Sequence, residues 1–258
     1  MKKVLIITYY WPPSGGAGVQ RWLKFVKYLN EFGWTPVVYT HLNPEIPYRD
    51  ETLLKDIPAS TEIVQRKIVE PYQLYNFFTG KKKDAKFQHG FLKDIGNKAS
   101  ITENASIWIR GNVFIPDARA LWIKPSVKFL KTYLKNNPVD LIVSSGPPHS
   151  MHLIARSLKK SMNLPWIADF RDPWTKIYYF DKLKLSAFAF KKHKKLEQQC
   201  LDDADFLITV GSTMKKDFEN FTSTPIEVIT NGFDHTDFDN IQTEKPKKFT
   251  LFYSGMFL

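Results

Sequence analysis

One cysteine, Cys200, stands in the whole chain, so no disulfide can close within it and a reducing compartment is the expected setting. No stretch approaches about 18 consecutive uncharged apolar residues, which leaves no candidate transmembrane helix. The opening "MKKVLIITYYWPP" has an apolar core of only about eight residues and no small-residue cleavage site, so a buried first strand fits it better than a signal peptide. Acidic residues are the scarce charge, 26 against 37 Lys and Arg, for a net +11. That balance implies an anionic partner: nucleic acid, a membrane surface or a phosphorylated substrate. The lysines are scattered apart from runs at 81–83 and 191–195, and no zinc-ligand spacing or RNA-binding consensus accompanies them. Nucleic acid is therefore not an expected partner. Internal repeats and low-complexity linkers are also missing.

What is present is an alternation of strand and helix. Residues 3–9 read as a buried strand, "VLII" being apolar at both parities as parallel strands are. Residues 19–32 read as a helix, with Val19, Trp22, Leu23, Val26 and Leu29 at helical spacing and Gly33 placed to cap it. "TPVVYT" at 35–40 is a second strand, which completes a βαβ unit and implies a parallel sheet. Residues of about 43–125 break the rhythm and read as a basic, aromatic insertion carrying short helices. From Pro125 the alternation resumes. A helix "SVKFLKTYLKNN" precedes the strand "DLIVSS", the turn "GPPHS", a helix over about 149–161 and the strand "PWIADF". A helix around 191–201, the strand "FLITV", a short helix after Ser212 and the strand "IEVIT" follow. The expected class is α/β: a Rossmann-like, doubly wound parallel sheet with helices on both faces, over residues 1–247. "KFTLFYSGMFL" at 248–258 begins another strand, so a second domain is expected to start there.

Three stretches at strand ends carry candidate chemistry. "YYWPPSGGAGVQRW" places Gly15, Gly16 and Gly18 between the first strand and the first helix. A dinucleotide fingerprint fails here because Arg21 replaces its third glycine and the second strand ends in "YTHLN" without an acid. No Gly-Lys-Ser/Thr follows, so it is no P-loop either. Glycines that let backbone approach a ligand, a helix N-terminus and the Arg21 charge still suit a phosphate or polar substrate; tight packing is the plainer reason for such a turn. "IADFRDPW" ends a strand in Asp169, Arg171 and Asp172, where open α/β sheets bind ligands, or where an Arg–Asp pair is merely structural. His149, in "SSGPPHS", is either a neighbour of a helix cap or a ligand contact. "ITNGFD" offers an Asn231–Gly232 turn.

In order, these pieces resemble the N-terminal half of a GT-B glycosyltransferase of the large retaining family 4. The resemblance rests on "ITYYWPPSGGAGVQR", "DFRDPW", "LEQQCLDDADFLITVGS", "ITNGFD" and "FYSG", and covers nearly all of the chain outside 43–125. It implies two Rossmann-like domains across a cleft. The N-terminal one would bind a glycan or lipid-linked acceptor. The C-terminal one, of which 248–258 would be the start, would bind a nucleotide-diphosphate sugar. Transfer would need no metal or other cofactor, because basic residues and helix N-termini offset the leaving diphosphate's charge. Retention by front-face attack and a role in cell-envelope polysaccharide synthesis are implied too. Gly15, Gly16 and Arg21 would line the donor-phosphate side, Arg171 and Asp172 would contact sugar or acceptor, and Asn231 and Gly232 would shape the interdomain hinge. Arg171 stands where many members carry a histidine, and the family's Glu-x7-Glu element is absent from these residues, so this chain alone is expected to transfer nothing. The insertion and "KLKLSAFAFKKHKKL" at 182–196 suit docking to an anionic membrane, which implies a cytoplasmic protein peripheral at the membrane's inner face. The alternative is a non-catalytic acceptor- or membrane-binding module that works with a partner chain.

Overall fold

The computed structural model describes residues 1–42, 48–68, 107–109, 111–239 and 248–253. Its elements run β1 (Lys2–Ile7), α1 (Ala17–Leu29), β2 (Trp34–His41), β3 (Glu62–Arg66), α2 (Ala120–Asn136), β4 (Leu141–Gly146), α3 (Ser150–Met162), β5 (Trp166–Phe170), α4 (Ala187–Asp203), β6 (Phe206–Thr209), α5 (Ser212–Glu219) and β7 (Ile226–Val228). All seven strands are parallel, in the order β3-β2-β1-β4-β5-β6-β7. The order reverses between β1 and β4, whose parting loops form the crevice where open α/β sheets take ligands.

Successive strand residues face opposite sides, and that parity sorts the core. Leu5, Ile7, Val37, Tyr39, Ile142, Ala168 and Phe170 face α2, α3, α4 and α5. Val4, Ile6, Val38 and Val143 meet Val19, Trp22, Leu23 and Val26 of α1. The sheet is thus doubly wound, as its sequence pattern implies. Gly33, at φ 78°, ends the short 3-10 turn that continues α1, the left-handed position that favours glycine.

Two elements depart from the sequence reading. β3 lies within the stretch read as an insertion. As an edge strand it buries only Val64 of five residues, so it has neither an apolar run nor a clean alternation to betray it. α2 starts at Ala120, not after Pro125, and keeps that proline inside. Trp122, 2% exposed, stacks on Tyr39 at 5.1 Å, and this packing outweighs the single backbone bond proline withholds. Residues 248–253 form no strand and expose Phe249, Leu251 and Phe252. The lysines at 81–83 and the end of "FYSG" lie outside the described residues.

Candidate functional site at the carboxyl edge

The three glycines have three different reasons. Gly16 caps α1 at φ 98°, and among the described residues nothing lies within 4 Å of where a Cβ would stand. A Cβ on Gly18 would lie 2.8 Å from Arg171 Nη1, and on Gly15 2.3 Å from the Tyr48 ring. Gly15 N–H donates to Tyr48 O at 2.9 Å. Gly15 therefore serves packing, whereas Gly16 and Gly18 lie beside the open N-terminus of α1. The first N–H groups of a helix have no acceptor within it and carry its positive pole.

Arg171 joins this loop to the one after β4. Its Nη1 donates to Gly18 O at 3.0 Å, its Nη2 to Pro147 O, and its backbone N–H to Gly146 O at 2.9 Å. The guanidinium sits 5.4 Å from the centre of the Tyr10 ring, and its Nε is buried without a partner. Burial pulls its pKa down, against the opposing pull of Tyr10, Asp169 and Asp172. Asp172 beside it is exposed, so no tight Arg171–Asp172 pair consumes either charge.

The tight Arg–Asp pair belongs to other residues. Asp169, like Ser145, sits at the strand parity that faces α1, and there it is fully buried. Arg21 reaches it with Nη2 at 3.0 Å and Nε at 3.1 Å. Trp22 Nε1 at 2.6 Å and Ser145 Oγ at 3.2 Å add two more donors. The remaining Arg21 nitrogen, Nη1, donates to Thr230 O at 3.2 Å and Asn231 Oδ1 at 3.1 Å. With its side chain 2% exposed, Arg21 is a strut between α1, β5 and the segment after β7. Among the described residues nothing lies within 4 Å of where a Gly232 side chain would stand.

That segment is clamped a second time. Asp234 accepts from Lys27 Nζ at 2.6 Å, Tyr28 Oη at 2.8 Å and Lys24 Nζ at 3.1 Å, all on α1. Burial alone would raise its pKa, but these bonds outweigh burial and hold it well below the usual carboxylate range.

His149 is the N-cap residue of α3 and stacks on Trp174, ring centres 4.6 Å apart with planes 1° from parallel. Burial first, then His152 and Arg171, drive its pKa well below the ordinary value. His152, missed in the sequence, completes a chain on the opposite face from Asp169. Trp166 Nε1–H can only donate, so Ser144 Oγ accepts it at 2.8 Å, and the same hydroxyl is hydrogen-bonded to His152 Nδ1 at 2.8 Å. Burial pushes His152 down to about 3. Glu197 of α4 is the glutamate of the quoted "LEQQCLDDADFLITVGS" stretch, for which the sequence suggested no contact. It accepts from Trp174 N and Thr175 N, both at 3.2 Å, and so fixes the loop that follows Arg171.

The loops after β1, β4 and β5 thus bring Gly16, Gly18, Arg171 and His149 to one crevice, while Arg21 and Asn231 meet behind it. Such a site offers backbone N–H groups and one constrained cation to an anionic or strongly polar group. Among the described residues no three His, Cys, Asp or Glu side chains gather as metal ligands.

The family model Glycosyltransferase Family 4 matches residues 96–237, more than half of the 258. No curated protein matches the chain. Sucrose-phosphate synthase from Thermosynechococcus elongatus is similar in structure at a TM-score of 0.53 and 13% identity, over 92% of this chain and 49% of that one. Phytolacca americana UGT2, complexed with UDP-2fluoro-glucose and pterostilbene, gives 0.50 at 11% identity, over 92% and 56%. At such identities the likeness is one of fold, and the chain spans about half the length of each.

Proposed function

The chain belongs to Glycosyltransferase Family 4, and on that premise we propose that it is the acceptor-side domain of a sugar transferase using a nucleotide-diphosphate sugar. The observation that carries this reading is the pinning of Arg171 across the crevice between Gly18 and Pro147, beside the open N-terminus of α1. As the sugar leaves, negative charge grows on the donor diphosphate. A guanidinium and helix N–H groups already in place offset that charge without rearranging, which is where preorganised dipoles lower a barrier. Gly16 keeps the approach to those N–H groups clear. His149, neutral at pH 7, can form a hydrogen bond without adding charge, and Asp172 is exposed to accept a hydroxyl hydrogen. In this reading the second domain supplies the donor pocket, no metal takes part, and Arg21 is a positioning residue. The UDP sugar bound to the similar Phytolacca americana UGT2 agrees with the donor class.

The test is release of nucleoside diphosphate from a panel of nucleotide-diphosphate sugars by the protein with its second domain present. Arg171→Ala should lower turnover on the order of a hundredfold, as loss of one preorganised donor does, with a much smaller fall in stability. Undiminished turnover removes Arg171 from the site.

A further inference from the structure

The first half of α4 carries apolar side chains that its packing leaves open to solvent, Phe188 for most of its surface and Phe190 beyond its contact with the buried Phe180 ring. Its buried stripe is Ala189, His193, Glu197, Cys200 and Leu201, and Phe188 lies off it, 72% exposed, with Phe190 at 38%. Lys192 and Lys194 stand over those rings, at 6.0 and 5.0 Å from their centres. Between residues 182 and 195 there are six lysines and no acid. A neighbouring segment extends the face. Asn112 donates to Lys184 O and accepts from Ser186 N, and His193 Nε2 donates to Gly111 O. Those bonds hold the exposed Trp108, Ile109 and Val113 beside the start of α4. Because α4 follows β5, this end of the helix lies at the carboxyl edge, the edge that carries Arg171 and the glycines.

We propose that this face docks on an anionic lipid bilayer. Aromatic rings ringed by lysines match the interfacial zone, where rings enter the headgroup boundary and ammonium groups pair with phosphates. A protein partner fits less well, since lysine is depleted in protein–protein interfaces. No helix among the described residues is long and apolar enough to cross a membrane, so the contact is peripheral. Docking sets the crevice at the lipid surface and selects a lipid-linked acceptor over a soluble glycan; that last step rests on the transferase reading.

Flotation of the purified protein with vesicles of equal parts phosphatidylglycerol and phosphatidylcholine at low salt tests it. Binding is expected there and not to phosphatidylcholine alone. At about fivefold per surface lysine, Lys191→Gln with Lys192→Gln should weaken binding roughly thirtyfold. Phe188→Ser should weaken it about tenfold, and at an exposed position it leaves the fold intact. Lys2→Gln with Lys135→Gln removes the same charge at the opposite edge of the sheet and should change nothing. Equal loss from both double variants would reduce the effect to net charge and overturn the proposal, as would absence of binding. Vesicle binding is read without donor or turnover. Transfer to a soluble glycan by a protein that ignores vesicles therefore overturns docking alone, and vesicle binding without nucleotide release overturns the transferase reading alone.

Discussion

A buried carboxylate is tolerable only when it is fully paired, and Asp169 shows how many partners that takes. Arg21, Trp22 and Ser145 all donate to it inside a face of the sheet that excludes water. Removing one member of such a pair leaves an uncompensated buried charge, so Arg21→Met should cost about 3 kcal/mol in urea unfolding. Arg21→Lys should cost nearly as much, because a single ammonium cannot span Asp169, Thr230 and Asn231 at once. A loss under 1 kcal/mol for Arg21→Met would mean that water takes over the pairing. Little of this was legible in the sequence. Both residues lay in quoted motifs, but they are 148 positions apart, and no local spacing says which charge finds which. The glycine-rich turn could be located but not apportioned, because the ring of Tyr48 and the guanidinium of Arg171 reach it from distant parts of the chain.

At the scale of elements, α1 does two tasks. One face supplies the apolar residues that cover β1 and β2, and its polar side holds the chain after β7 through Lys24, Lys27 and Tyr28. Asp234→Asn takes away the carboxylate that Lys24, Lys27 and Tyr28 all meet, leaving the two lysines to Asp56, and should cost about 2 kcal/mol, the scale of a hydrogen bond to a charged group. It should also speed proteolytic cleavage between residues 229 and 239; an unchanged cleavage rate would show that Arg21 and the bonds of Lys24 and Lys27 to Asp237 and Thr236 hold the segment without it. Elements with two buried faces or a full amphipathic stripe were readable, as β1, α1 and β5 were. β3 was not, because an edge strand needs only one buried residue to pair. The start of α2 was hidden by Pro125, whose local preference loses to the stacking of Trp122.

For the whole molecule, burial of histidine decides the response to acid. Burial pushes His41 down to about 4 and His152 to about 3, and His149 falls well below its ordinary value. An unfolded histidine takes its proton near pH 6.5 and these folded ones refuse it. Below that pH the unfolded state binds more protons, and stability falls by roughly 1.4 kcal/mol per pH unit for each such residue until the folded pKa is reached. Above about pH 7 the histidines contribute no slope. Urea midpoints should therefore hold steady at neutral pH and drop steadily from 6.5 toward 4. His152→Phe, whatever it costs at pH 7, should make that drop shallower; an unaltered slope would place the acid sensitivity elsewhere.

The double hold on residues 230–237 also has a mechanical consequence. A pull on the chain beyond Asp237 is not absorbed at the Asn231–Gly232 turn, because Arg21 and Asp234 anchor the backbone on either side of it. Both anchors are bonds to α1, the helix that begins at the loop of Gly16. The Asn231–Gly232 turn is therefore bounded on both sides by bonds to the helix that begins at the crevice, and any pivoting there must be accommodated within those few residues.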